Sequence, residues 1–473
     1  MALASVQIAF RSNPSRYSFA GAARLINAYA EAQGDDGKAP MAVLPCPGMV
    51  SCVTVTDTPN RGLIFLDDLD CGYSVHSSGV YKFTLVTLSP FVLSATRIGT
   101  LPGSDQVQMS RNQADPVQIS IHCAAGEFYI EADVVKRVPA DTFTTEPVTT
   151  EYVGGYTVYG EASGRFDFSS INVCQTVDPL DFATAEQYAD KLVRIKADGP
   201  DMFIFSRTSV EPWRLTGDSD LPFQLVGGSV SKKGLVAANS VVTCDNTLMF
   251  AGADNIAYRF QGYSPQRITT HAIERYFESD EDRENITALS YTFEGHSFAA
   301  WTGDAYTVSF DAATNYWHNR ESYANGGKWR ARNAIIAWGK TVVGDALSGN
   351  LYYLDKDAYD EGGDPMIWGI DTPFLHAVGG TGGIVDALHF DVATGVGTYE
   401  DEALMMLEWS VDGGRTFKGN RELKLGKRGE IKKVRTRRIG RFGDKGIMFR
   451  IRVSDAVIRG ITEIAASVRP LST

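Results

Sequence analysis

The sequence predicts a mainly β protein: an N-terminal six- or seven-bladed β-propeller followed by a C-terminal β-sandwich. Three observations carry that prediction. Apolar and aromatic hairpins recur along the first three quarters of the chain. Forty-six glycines and an 11% aromatic content supply the turns and strands such hairpins need. After Asp355 the hairpin series stops and longer alternating strands begin. The resulting organisation is an extended arm over residues 1–50, a propeller with short inserted helices over 51–356, and a sandwich over 365–473.

The arm comes first. Arg24 to Met49 reads "RLINAYAEAQGDDGKAPMAVLPCPGM", and Pro40, Pro45 and Pro47 make its second half a poor helix and a poor central strand. It is expected to be a rigid, extended lead-in that reaches across the propeller before the first blade and helps to close the ring.

Seven hairpins follow. They are "GYSVHSSGVYKF" from Gly72, "AAGEFYIEA" from Ala124, "GYTVYGEASGRFDFS" from Gly155, "MFIFSRTSVEPWRL" from Met202, "LMFAGADNIAYRF" from Leu248, "SFAAWTGDAYTVSFD" from Ser297 and "KTVVGDALSGNLYYLD" from Lys340. Most starts lie about 45 residues apart, the length of one four-stranded blade. The step from the second to the third is shorter, which leaves one of those two assignments open. A lone hairpin cannot bury both faces, whereas radially packed blades do and expose only short edges. An irregular double sandwich with coincidental spacing is the alternative.

Two stretches read as helices between blades. "DPLDFATAEQYADKLVRIKADG" offers Asp181 as an N-cap and helical apolar spacing from Phe182 to Leu192. "RITTHAIERYFESDEDREN" offers Thr270 as a cap, then Ile273, Tyr276 and Phe277 on one face. "KDAYDEGGDP", from Lys356, is acidic and turn-rich and reads as the linker. Strands over Ala403 to Ser410, Glu430 to Ile439 and Ile447 to Val453 then suit a sandwich of about 110 residues.

The net charge of −12 argues against general binding to nucleic acid or an anionic membrane. No signal peptide and no membrane span is expected. The six cysteines, Cys46, Cys52, Cys71, Cys123, Cys174 and Cys244, are widely spaced without a C-x-x-C pair, and are read as reduced structural thiols. The seven histidines form no close pair of metal-ligand spacing, and no nucleophile elbow or Walker loop is present. "GGTGG", Gly379 to Gly383, leads into the strand-like "IVDALHFDV" and so reads as a flexible loop. No catalytic residue, cofactor or metal is expected.

Two features of the last domain carry the functional reading. "SVDGGRTF", Ser410 to Phe417, is similar to the Asp-box of many β proteins. Asp412 can accept hydrogen bonds from the turn's amides, Gly413 and Gly414 can take positive φ, and Phe417 can pack beneath. The box is structural in those families. A carbohydrate-binding or glycosidase-like propeller is still the alternative function, with Trp213, Trp317 and Trp329 as sugar-stacking candidates.

The second feature is a basic run: Lys418, Arg421, Lys424, Lys427, Arg428, Lys432, Lys433, Arg435, Arg437, Arg438, Arg441 and Lys445, against only Glu422, Glu430 and Asp444. Solvated strand faces would explain it. So would an interface for an acidic partner or DNA phosphates, formed by Lys427, Arg428, Lys432, Lys433, Arg435, Arg437, Arg438 and Arg441.

Taken in order, these landmarks resemble the packaged-DNA stabilisation proteins, the tail-hub or head-completion proteins of short-tailed phages. Arg24, Ile26, Asn27, Tyr29, Glu31, Lys38, Pro40, Pro47 and Gly48 match the family's opening stretch. Collinear matches include "RGLIFLDDLDCGYSVHSSGVYKF", "SRTSVEPWRLTGDSDLPFQLVGGSVSKKG", "GYSPQRITTHAIERYF" and "LEWSVDGGRTF". Departures are Cys71–Gly72 and "LMFAGAD" at Leu248 to Asp254.

The resemblance implies a non-enzymatic virion protein, made in the host cytoplasm and assembled in the tail. It implies a ring, expected to be a hexamer, below the portal and its head–tail adaptor. Such a ring would close the channel on packaged DNA and dock a tail needle or nozzle and tailspikes or tail fibres.

Overall fold

The computed structural model describes residues 3–34, 37–185, 187, 190–218, 221–377 and 382–471. Six of the seven hairpins form the middle pair of a four-stranded antiparallel unit, and "AAGEFYIEA" supplies the turn and third strand of another. The innermost strands of these units are Asn60–Leu66, Gln108–Arg111, Thr149–Val153, Leu192–Asp198, Val241–Cys244, Thr287–Phe293 and Ala331–Ala337. Inner strands of neighbouring units pack together, and Ala331–Ala337 returns to Asn60–Leu66, closing a ring of blades. Between the fourth and fifth units the join is aromatic, through Phe203, Phe205, Phe250 and Phe260.

Stacking on both sides explains why the hairpins look apolar throughout instead of alternating. Cys71–His76 and Thr307–Asp311 are buried at every position. Each buried Phe, Leu or Ile contributes about 1.5–3 kcal/mol. The short step between the second and third hairpins arises because "AAGEFYIEA" begins at a turn, after the strand Gln118–Cys123 has already passed.

The ring closes through the end of the N-terminal ribbon, while the proline-flanked stretch expected to make a poor central strand forms one, Met41–Pro45, between Ala28–Ala32 and Ile461–Pro470 of the sandwich. Gly48–Thr56 adds to Gly349–Asp355 as the fourth strand of the last blade. A Cβ on Gly48 would lie 2.4 Å from the Ala358 carbonyl oxygen and 2.6 Å from that of Asp360, so only glycine fits.

Earlier in the ribbon, Arg24–Ile26 runs between Tyr316–Asn319 of the sixth blade and Trp368–Asp371 of the sandwich, making one continuous nine-stranded sheet. Asn27 sits at that seam with φ 49° and is fully buried. Its Nδ2 donates to the carbonyls of Glu321 (2.8 Å) and Ile367 (2.9 Å), and its Oδ1 accepts the Glu321 amide (3.0 Å). Tyr29 then packs edge-on against Phe293 and Phe298.

The sandwich buries Trp368, Leu388, Leu407, Phe449, Ile451 and Ile464 between two sheets. One is ordered Ala28–Ala32, Met41–Pro45, Ile461–Pro470, Gly383–Val392, Val434–Phe442. The other contains Trp368–Asp371, Met448–Val453, Ala403–Ser410 and Lys418–Gly426. The acidic linker is not a free tether. Asp360–Glu361 pairs in parallel with the ribbon strand at Met49, and Glu361 is fully buried.

One predicted helix forms and one does not. His271–Glu278 follows Thr270 and buries Ala272, Ile273 and Phe277, while the Thr270 hydroxyl donates to Asn13 Oδ1 (3.1 Å) instead of capping. The helix expected from Asp181 is replaced by the strand Val177–Thr184. This is an outer blade strand whose outward side chains, such as Leu180 and Phe182, stay exposed. Phe182 lies under the Arg165 guanidinium at 3.8 Å. Its apolar spacing thus has no buried helical face to make. Residues 186, 188 and 189 of that stretch lie outside the described residues, as do Gly379, Gly380 and Thr381 of "GGTGG". All six cysteines are free and buried. Burial pushes the Cys52, Cys174 and Cys244 thiols up to about 12.

Candidate partner interface on the sandwich

The Asp-box forms the hairpin between Ala403–Ser410 and Lys418–Gly426. Asp412 accepts the amides of Arg415 (3.0 Å) and Thr416 (3.0 Å) and the Thr416 hydroxyl (2.6 Å). Ser410 Oγ donates to Asp412 (2.7 Å) and accepts the Gly414 amide (3.0 Å). These bonds, led by those from Thr416, hold the Asp412 carboxyl well below the usual carboxylate range. Gly413 and Gly414 take φ of 82° and 80°. Phe417 is half-buried beneath the Arg450 guanidinium, 3.5 Å from its ring. Every carboxylate oxygen of Asp412 is occupied by the turn itself, so the box shapes a hairpin and offers no acid for chemistry.

The basic residues divide into engaged and free groups. Lys432 and Lys424 both clamp Glu402, whose carboxyl they pull down to about 2. Arg428 lies over the Tyr399 ring at 5.2 Å. Arg421 is half-buried and folds onto the neighbouring strand. Its Nη1 donates to Arg437 O (2.6 Å) and Thr436 Oγ1 (2.8 Å), and its Nη2 to Arg438 O (3.0 Å). Those carbonyls belong to the terminal strand of their sheet. An unpaired strand edge invites another strand, and here an arginine occupies it.

Lys427, Lys433, Arg435, Arg437, Arg438 and Arg441 are exposed and form no side-chain ion pair among the described residues. The strand Val434–Phe442 explains their alignment. Val434, Thr436, Ile439 and Phe442 face the core, while the arginines between them face out. A register shift, with Val385 opposite Gly440 and Ala387 opposite Arg437, places Arg438 at φ 60° and exposes two arginines in succession. Across the sheet they meet His389, Ala387 and Ile384, not acids. The nearby Asp386 is taken by Arg469 (2.6 and 2.7 Å), a contributor that lies outside the basic run and that its density of charge could not reveal.

The arrangement suits the attraction of an anionic surface by charge rather than by strand addition. The sugar-stacking candidates are elsewhere and unavailable. Trp213, Trp317 and Trp329 are 8%, 2% and 1% exposed, built into blade cores. Trp317 Nε1 donates to the Ile268 carbonyl (2.9 Å), and Trp329 lies beneath Arg320. Aromatic content alone could not separate platform from core. Among the described residues no three His, Cys, Asp or Glu side chains form a metal-binding group, and no helix is long and apolar enough to cross a membrane.

No curated protein matches the sequence. Among solved structures, the WD40 β-propeller domain of Doa1 is 9% identical, covering 66% of this chain and 97% of its own, with a TM-score of 0.43. The extracellular domain of the hybrid two-component system BT4673 from B. thetaiotaomicron is 10% identical, covering 65% of this chain and 39% of its own, with a TM-score of 0.44. The designed protein Ika8 is 11% identical, with coverages of 65% and 99% and a TM-score of 0.38. Residues 22–359 match the family described as bacteriophage P22 Gp10, β-propeller, and residues 367–469 match its β-sandwich. With both domains matched in order across most of its length, the chain belongs to the bacteriophage P22 Gp10 family, phage structural proteins that stabilise packaged DNA.

Proposed function

We propose that this protein is the tail hub of a short-tailed phage. It assembles as a ring, a hexamer by family resemblance, below the portal and its head–tail adaptor. There it closes the channel after packaging and provides docking surfaces for a tail needle or nozzle and for tailspikes or tail fibres. It works by binding, not by catalysis, as a component of the virion made in the host cytoplasm. The observation that supports this reading most is the unpaired row Arg435, Arg437, Arg438 and Arg441 on the outermost strand of the sandwich, in a chain whose net charge is −12. Free guanidinium groups aligned on a rigid sheet suit an acidic neighbour or nearby DNA phosphates.

The test is imaging of virions together with a nuclease assay for retained DNA. The native chain should appear in the tail. Particles carrying Arg435→Glu, Arg437→Glu, Arg438→Glu and Arg441→Glu together should assemble poorly or lose their DNA. Absence of the native chain from virions would refute the tail-hub role. Intact, infectious variant particles would show that the arginines merely solvate the strand.

A further inference from the structure

The inner strands of the propeller turn side chains toward the ring axis, where they line an open cavity of about 150 Å³. Leu63, Gln108, Arg194, Val241, Ala288 and Asn333 reach it from six different inner strands. Arg194 is the only charged residue in the described lining. It stands on Leu192–Asp198 at a register shift. Arg194 is half-buried as a whole, but its Nε and Nη1 are closed to solvent and have no hydrogen-bond partner among the described residues. Glu151, which acts on Arg194 electrostatically, already accepts from Lys196 (2.9 Å) and Ser110 (3.3 Å) and makes no hydrogen bond to it. A guanidinium cannot shed its charge by losing its proton, so one with two nitrogens closed to solvent favours an anion beside them.

The neighbouring amides have fixed orientations. Gln108 Oε1 accepts from Thr149 Oγ1 (2.7 Å) and from the Thr150 amide (3.3 Å), and a backbone N–H can only donate. Gln108 Nε2 is therefore an unspent donor. The Asn239 side chain has no partner among the described residues. Gln106 is set by a relay. Asn60 Nδ2 donates to the Gly62 carbonyl (3.1 Å), Asn333 Nδ2 to Asn60 Oδ1 (2.8 Å), and Gln106 Nε2 to Asn333 Oδ1 (2.6 Å). That leaves Gln106 Oε1 as a buried acceptor with nothing to accept.

The cavity thus presents one cation, free amide donors and one orphaned acceptor. A wider cavity of about 600 Å³ shares Gln106 and Asn239 with it and gives a route inward, its lining carrying Lys328 and Arg332 beside Asp105, Glu284 and Asp304. We propose that the propeller axis holds a binding site for one small, protonated oxyanion of the hydrogen phosphate class. Arg194 and the amides of Gln108 and Asn239 donate to its oxygens, and Gln106 Oε1 accepts its O–H. The volume falls below the few hundred Å³ typical of sites for larger ligands. This site is independent of the tail-hub reading.

Calorimetry of the full chain with inorganic phosphate, and with sulfate at matched ionic strength, tests it. One phosphate should bind per chain, and sulfate, which has no O–H near neutral pH, should bind more weakly. Arg194→Met should weaken phosphate binding by about 100-fold and Asn239→Ala by about 10-fold. The Asn239 side chain makes no hydrogen bond among the described residues, so its variant reports on binding even if Arg194→Met does not fold. No saturable phosphate binding, binding undiminished in either folded variant, or equal affinity for sulfate would overturn the proposal.

Discussion

Arg330 and Arg437 show two opposite uses of the same side chain. Arg330 enters the last blade, is 6% exposed, and donates to Asp345 (2.7 and 3.1 Å) and Asp364 (2.6 Å). Around it, Arg320 donates to the Pro47 carbonyl (3.2 Å), and Arg459 donates to the carbonyls of Met366 (2.7 Å) and Tyr359 (2.6 Å). Ribbon, last blade and linker all meet there. Arg437 and its neighbours on the outer sandwich strand are exposed and unpaired, although the chain has 57 acids for 45 basic residues. Charge at the junction is tied into the fold, whereas charge on the outer strand is left available.

Breaking the junction should have the largest effect. Arg330→Met leaves the carboxylate of Asp345, itself fully buried, without its counterion. Removing one partner of a buried pair costs about 3–5 kcal/mol. Urea unfolding should show that loss. A cost below about 1 kcal/mol would erase the distinction between the two arginine groups.

The ribbon gives a second, smaller break. Gly48→Ala forces a methyl against two backbone carbonyls that cannot rotate away. Overpacking of this kind costs about 1–3 kcal/mol. Because Gly48 opens the strand that completes the last blade, amide exchange should accelerate first along Gly349–Asp355, its pairing partner. Acceleration confined to the sandwich would mean that the ribbon does not hold the ring.

The two regions were unequally legible in sequence. The hairpins could be read because each carries its turn residues and aromatic strands within about a dozen positions. The ribbon's prolines predicted an extended segment and its position suggested ring closure. Its parallel pairing with Tyr316–Asn319, nearly 300 residues away, had no local signal. The misread helix at Asp181 shows the same limit, since an edge strand with one exposed face imitates helical spacing over a short window. In the basic run, charge density located the surface but could not show that Arg421 seals a strand edge or that Lys432 is spent on Glu402. Those assignments depend on which strands lie side by side.

Acid should sharpen the contrast within the sandwich itself. Glu402 is held down to about 2, first by Lys424 and then by Lys432, and Asp412 lies lower still through its turn. A depressed carboxyl stays ionised in the folded chain where the unfolded chain has taken up a proton. Its contribution is therefore complete above a pH of about 4 and drains away as the pH falls through the folded-state value. Melting temperature should fall as the pH drops below about 4, where the unfolded chain takes up protons that these folded carboxyls refuse. Glu402→Gln with Asp412→Asn should flatten that fall, and an unchanged slope would remove both groups from the acid response.

The smallest effect on folding should come from the outer arginines, and its smallness is what gives the comparison its point. Replacing Arg435, Arg437 and Arg441 by Gln deletes three exposed charges, none of which has an ion-pair partner among the described residues. Substitutions of that kind stay within about 0.5 kcal/mol of neutral each. Relief of like-charge repulsion along one strand should push the sum toward stabilisation, more so at low salt, where screening is weakest. Urea midpoints at two ionic strengths measure this directly. A stabilised variant that nonetheless fails to support particle assembly would mean that the fold tolerates these charges for the sake of a neighbour. A destabilised variant would instead return them to the same structural role as Arg330.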